Sequence, residues 1–164
     1  KLMKISQKGK DLLKQWEGIS KTVYLDSAGL QTIGCGHLLT RDELTSGKII
    51  INNVYIKYRN GLSDFEIDQL LDQDLDSAEY AVNTSINVQL TQDQFDALCS
   101  FAFNIGTRAF VNSTLRKMLN AGIHEDVVRQ FRRWTKVGGR VVSGLVNRRE
   151  NEIKLFSSKS AQYS

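Results

Sequence analysis

The sequence has no proline, only two cysteines and two histidines, and no long apolar run. Without proline, helix ends and turns must be marked by capping side chains and glycines. Cys35 and Cys99 could form at most one disulfide and have no metal-ligand spacing, so neither a disulfide scaffold nor a metal site is expected. Both are read as reduced, Cys99 as a small core residue. No stretch approaches the roughly 18 apolar residues of a membrane span, and no secretory signal is visible, so stable membrane insertion is not expected. Repeats and low-complexity segments are also missing. The chain starts at Lys1, which leaves a processed or tagged N-terminus open.

What is present describes an ordinary globular protein. The 164 residues are 41% apolar and 24% charged, enough for one domain with a substantial core. The net charge of +4 hides an asymmetry. Residues 1–107 carry 10 Lys or Arg against 14 Asp or Glu, whereas residues 108–164 carry 12 against 4. The basic C-terminal third fits an anionic partner such as nucleic acid, a membrane surface or a cell-wall polymer, and fits a solvated helical surface equally well.

Local signals divide the chain. "ISQKGKDLLKQWEG" reads as a helix with Ser6 as N-cap, Leu12, Leu13 and Trp16 inward and Gly18 just past its end. From Thr22 to Ile33, β-formers alternate around "DSAG", which predicts a hairpin. "KIIINNVYIKY" predicts two more strands around Asn52-Asn53. Ser63 and Glu66 make a capping box stapled by Leu62 and Ile67, and the stripe Ile67, Leu70, Leu71, Ala78, Val82 follows at helical spacing. Thr91 and Gln94 make a second box, stapled by Leu90 and Phe95, for a helix ending near Asn104 with Gly106 as terminator. Helices are then expected at about 113–121, 125–135 and 145–156, and a polar tail from Ser157 to Ser164. Strands segregated from helices imply an α+β fold: a strand-bearing N-terminal section, a bridging helix and an all-helical remainder.

The chemistry concentrates in "QWEGISKTVYLDSAGLQTIGCGH". Glu17 falls at the last turn of the first helix, where the dipole is negative and a carboxylate is disfavoured; Trp16 and other apolar neighbours add desolvation. That environment suits a carboxylic acid held protonated to donate to a leaving group. Asp26 sits in a polar turn with Ser27, where it stays ionised, and Thr32 across the hairpin can donate and accept. A protonated Glu facing an ionised Asp is the arrangement of a glycoside hydrolase, and a separation of about 6.5–9.5 Å would admit a water and invert the anomeric centre. Spacing alone does not distinguish this from two surface carboxylates.

Family resemblance does. "WEG…YLDSAGLQTIGCGHLLT" resembles the catalytic motif of the phage-type lysozymes (endolysins): a Glu, eight residues, an Asp, five residues and a Thr. The similarity continues in "LTQDQFDALCSFAFNIG", "AFVNSTLRKMLNAG" and "FRRWTKVGGRVVSGLVNRRENEIKLF", from about residue 5 to 156. It implies one lysozyme-like domain over residues 1–164. Its parts would be a small N-terminal lobe with an antiparallel sheet at about 18–62, a connecting helix at about 63–83, and a helical C-terminal lobe at about 84–156 that includes the first helix. The active cleft would lie between the lobes. The family's proton donor then falls on Glu17, its water-positioning aspartate on Asp26 and its threonine on Thr32. Glycan contacts would fall on Leu38, Phe103 and Ser113. Where some members carry a polar contact, this chain has Val128, and "SGKIIINNVYIKYRNG" matches no family signature.

Three supporting residues follow. Asp74 lies on the apolar stripe of the bridging helix, where an unpaired charge is costly, and His37 is its nearest candidate partner; the alternative is an Asp74 leaning to solvent. Arg149 occupies the inward row Val146, Arg149, Ile153, Phe156 and needs a carboxylate, with Glu17 one possibility, Arg148 a competitor, and a salt bridge inside the C-terminal lobe an equal alternative. Trp134 and Phe131 fit a core better than a sugar platform.

The resemblance implies an endolysin that hydrolyses the β-1,4 bond between N-acetylmuramic acid and N-acetylglucosamine in bacterial peptidoglycan. It would act as a monomer without cofactor or metal, waiting in the host cytoplasm until release to the periplasm and wall. A nucleic-acid-binding helical module using "FRRW" and "NRR" is the competing reading; it leaves Glu17, Asp26 and Thr32 unexplained. A wall-binding protein that has lost catalysis is the third.

Overall fold

Ser6 opens the first helix, α1 (Gln7–Glu17), by accepting the Gly9 N–H on its hydroxyl at 3.1 Å. Gly18 closes it at φ +80°, its N–H on the Lys14 carbonyl at 2.9 Å. These are the ends that the sequence marks. The computed structural model describes residues 2–159, so the expected polar tail lies outside the described residues from position 160 onward. The chain forms two compact units, Asp11–Asp76 and Lys1–Lys10 with Ser77–Ser164, and the division falls inside both α1 and the long helix α3 (Asp64–Ser85).

In the unit Asp11–Asp76, strands β1 (Ser20–Leu25), β2 (Gln31–Gly34) and β3 (His37–Leu38) form one antiparallel sheet in that order. The hairpin is the one expected; β3 is an addition, made when the turn at Cys35 and Gly36 folds His37 back onto Ile33. A short helix α2 (Arg41–Ser46) follows, also unforeseen, although Thr40 and Glu43 make a complete capping box. Strands β4 (Lys48–Ile51) and β5 (Val54–Lys57) pair around Asn52 and Asn53, both at positive φ (51° and 64°), as a two-residue hairpin turn requires. A 3-10 turn, Tyr58–Asn60, leads to α3.

The capping box of α3 is complete, with Glu66 N–H on Ser63 Oγ at 3.1 Å and Ser63 N–H on Glu66 Oε1 at 2.8 Å. Its stripe Ile67, Leu70, Leu71, Leu75, Ala78 and Val82 is at most 2% exposed. Burying each large side chain there contributes roughly 1.5–3 kcal/mol before entropy is counted.

The second unit holds α4 (Gln92–Ile105), α5 (Thr107–Val111), α6 (Thr114–Asn120), α7 (His124–Phe131) and α8 (Ser143–Phe156). Thr91 and Gln94 cap α4 as expected. Phe101 is the hub of its core, with Phe131 at 4.9 Å, Trp134 at 6.0 Å and Phe110 at 6.2 Å between ring centres. Cys99 is fully buried there, and burial pushes its thiol far up.

The expectation of an all-helical C-terminal part needs one correction. The helix expected over 125–135 stops at Phe131, and β6 (Lys136–Val137) pairs with β7 (Arg140–Val141) across Gly138 and Gly139, both at positive φ. Trp134 therefore lies beyond the helix, half-buried, and does not continue the Phe131 face. The small helix α5 is likewise an addition, too short at five residues to show a period.

Candidate active site

The β1–β2 turn builds one half of the site through its own backbone. Asp26 N–H donates to the Leu30 carbonyl at 2.9 Å, and Asp26 Oδ1 accepts the N–H groups of Ala28 at 2.9 Å and Leu30 at 2.8 Å. Asp26 Oδ2 accepts no hydrogen bond among the described residues. Thr32, buried at 4% exposure, donates its hydroxyl proton to the same Leu30 carbonyl at 3.0 Å. The residue-30 peptide groups thus hold both side chains. With its proton committed, the Thr32 oxygen faces other groups as an acceptor only. Two acceptors on one face of the sheet, Asp26 Oδ2 and Thr32 Oγ1, can take the two protons of one water.

Glu17 ends α1 and lies against the β2–β3 turn. A Cβ added to Gly36 would stand 2.7 Å from Glu17 Oε2 and displace that carboxyl, and the φ of +70° at this position favours glycine. Tyr24 is the Cα partner of Thr32 and shares the Asp26 face by strand alternation. Its hydroxyl is raised by burial first, then by the charges of Glu17, Cys35 and Asp26, so both carboxyls act on this one phenol. Sequence reading missed Tyr24 and Gly36; the Y–x–D spacing on a strand was the available signal.

His37, on β3 of this sheet, belongs to an ion cluster. Its Nδ1 is 2.7 Å from Asp74 Oδ2, and its Nε2 is 2.9 Å from Glu43 Oε1. Burial, the largest single influence, would lower the imidazole, but Asp74 and then Glu43 outweigh it and push the histidine up to about 9. Glu43 was not foreseen as a member; it also closes the α2 capping box by accepting the Thr40 N–H at 2.9 Å.

The remaining candidates scatter. Leu38, half-exposed at 51%, pairs with Thr32 across β2–β3. Phe103 and Ser113 belong to the other unit. Phe103 is partly buried on α4. Ser113 is buried as the N-cap of α6, accepting Arg116 N–H at 3.1 Å and donating to the Phe110 carbonyl at 2.6 Å. It also lines a cavity of about 400 Å³ with Asn112, Gln130, Arg133 and Trp134.

Arg149, fully buried, finds its carboxylate inside its own unit. Its Nε stands 2.7 Å from Glu152 Oε1, a charge contact that is not aligned as a hydrogen bond, while Nη2 donates to Asn104 Oδ1 at 2.7 Å. Arg148 Nε reaches Glu152 Oε2 at 3.2 Å, so the two arginines share one buried acid. Burial pushes the Glu152 carboxyl up, against the lowering by Arg149, Arg148 and Ser100.

Comparison with known proteins settles the family. Residues 14–152 match the family model described as Phage lysozyme. The chain belongs to the phage lysozyme family. This lysozyme is 37% identical to the endolysin of Acyrthosiphon pisum secondary endosymbiont phage 1, over 95% of its own length and 99% of the relative's. Its fold is shared with the muramidase domain of SpmX from Asticaccaulis excentricus (TM-score 0.75, 32% identity, 94% and 98% of the two chains). The crystal structure of a P22 lysozyme mutant is similar too (TM-score 0.77, 34% identity, 96% and 100%). The α+β, lysozyme-like reading is thereby borne out, and the enzyme is a peptidoglycan-hydrolysing lysozyme. Among its described residues no helix is long and apolar enough to cross a membrane.

Proposed function

We propose that this lysozyme cleaves the β-1,4 bond between N-acetylmuramic acid and N-acetylglucosamine by general acid catalysis with inversion, to lyse the phage's host. Glu17 protonates the leaving oxygen. Asp26 and Thr32 hold a water on the opposite face of the sugar, and Asp26 takes its proton as the new bond forms. Two carboxyls and a water suffice for the reaction. Residues 1–164 serve as a single lysozyme domain and a monomer that waits in the host cytoplasm until it reaches the periplasm and wall. Leu38, Phe103 and Ser113 contribute to glycan binding, and His37, Asp74 and Arg149 to holding the framework.

The observation that carries this reading is the arrangement at Leu30. Its N–H fixes Asp26 Oδ1 and its carbonyl takes the Thr32 proton, so two acceptors remain for one water. A nucleophilic Asp26 would need no second acceptor beside it. The first-formed product is therefore the α-anomer, read by proton NMR of early products before mutarotation; a β-anomer would overturn the assignment. Glu17→Gln abolishes wall lysis while leaving the fold intact, and a near wild-type lysis rate in that variant would remove Glu17 from the mechanism.

A further inference from the structure

Among the side chains of the β1–β2 face, Tyr24 has no task in the reaction just described. Its phenol makes no hydrogen bond to any described residue, although it is half-buried and both carboxyls act on it. The hydroxyl is not sealed inside the protein, so its donor is open to water or to a ligand. The strand register fixes where it stands: directly opposite Thr32, and one alternation before Asp26 on the same face.

We infer that Tyr24 is a further substrate-contacting residue, whose O–H donates a hydrogen bond to an oxygen of the sugar undergoing cleavage. The inference rests on the proposed roles of Glu17 and Asp26. In an inverting hydrolase the reacting sugar lies between the acid and the water held by the base. A side chain opposite Thr32 and on the Asp26 face of the hairpin therefore borders that sugar. The raised hydroxyl stays protonated throughout neutral pH, so it serves as a donor and never as a competing base. The acceptor it fits is a ring hydroxyl or acetamido oxygen of an amino sugar, since the two carboxyls already present would repel an anionic group. No bond to Tyr24 is made or broken; it orients the ring as the anomeric centre changes shape.

Tyr24→Phe keeps the ring and removes only the donor. We expect kcat to fall roughly tenfold or more with KM within about twofold, at unchanged Tm, as for a hydrogen bond that strengthens toward the transition state. The arms of the pH–rate profile stay where they are, because the phenol does not titrate in that range. A kcat within about twofold of wild type overturns the inference, as does a loss of rate matched by a loss of Tm. Glu17→Gln and Asp26→Asn are assayed in parallel. If both are inactive while Tyr24→Phe runs at full rate, the Tyr24 contact is wrong and the mechanism stands. If both retain wild-type rate, the mechanism falls and the Tyr24 contact with it.

Discussion

Each unit of this lysozyme holds an ion cluster of three charged groups, and the two are built with opposite stoichiometry. In Asp11–Asp76, two carboxylates flank one cation, His37. In the other unit, two cations, Arg148 and Arg149, flank one carboxylate, Glu152. The difference lies in which charge can be removed. Imidazole gives up its proton within reach of ordinary pH, whereas guanidinium keeps its charge at any pH a protein survives. One cluster therefore clamps β3, α2 and α3 through a titratable cation, and the other clamps α8 on α4 through two fixed cations, with Ser100, Asn104 and the ring of Phe101.

The sharpest way to break the arginine clamp is Glu152→Gln, which keeps the shape and leaves two buried guanidiniums without their shared acid. Removing one side of a buried ion set costs about 3 kcal/mol or more. That is a fall in Tm of about 6–12 °C for a chain of this size, measured by thermal unfolding at pH 7. A loss below about 1 kcal/mol would show that the arginines are satisfied without Glu152.

The histidine clamp gives a smaller effect, dependent on pH. His37 has its folded pKa raised from an ordinary value of 6.5 to about 9. A raised cation stabilises fully below its unfolded pKa and loses that stabilisation as pH rises through the folded one. Wild type should exceed His37→Asn by about 3 kcal/mol near pH 6, with the gap closing between about pH 7 and 9. Denaturant unfolding at the two ends of that window checks it, and a gap that does not change with pH would remove the ion cluster from the account.

The smallest effect sharpens the comparison from outside. Arg132 and Glu150 make a well-formed pair, with Nε at 2.8 Å and Nη2 at 3.0 Å from the carboxylate, yet both are exposed. Arg132→Ala should leave Tm unchanged within error at physiological salt. If it did not, burial would not be what separates strong clusters from weak ones.

Much of the fold was legible because its signals are local. Ser6, Ser63 with Glu66, Thr91 with Gln94, and Asn52-Asn53 each act within four residues, so the chain itself displays them. The pieces that escaped are short: α2 and α5 span less than two turns, and β6–β7 follows Phe131 so closely that Trp134 extended the helical period by coincidence. Thr40 and Glu43 did announce α2, but no apolar stripe followed to make the box conspicuous. In the site, the family pattern carried Glu17, Asp26 and Thr32, and the stripe position of Asp74 pointed to His37. Glu43 reaching the same histidine was not readable, because it depends on where β3 folds back. The partner of Arg149 stayed open for the same reason. A buried arginine predicts an acid but not which one, and the choice of Glu152, three residues on, rests on α8 facing inward at both positions.

Leu30 has one more consequence. Everything it does for Asp26 and Thr32 passes through its amide and carbonyl, while its side chain is half-exposed and contributes nothing to either. The position next to the reaction is thus chemically silent in its variable part. Every residue type but one preserves the two peptide contacts, and proline alone abolishes one by deleting the N–H. A cysteine at this position could carry a fluorophore or a crosslinker at the rim of the chemistry without addressing the catalytic groups, which makes it the natural handle for watching the enzyme engage a wall.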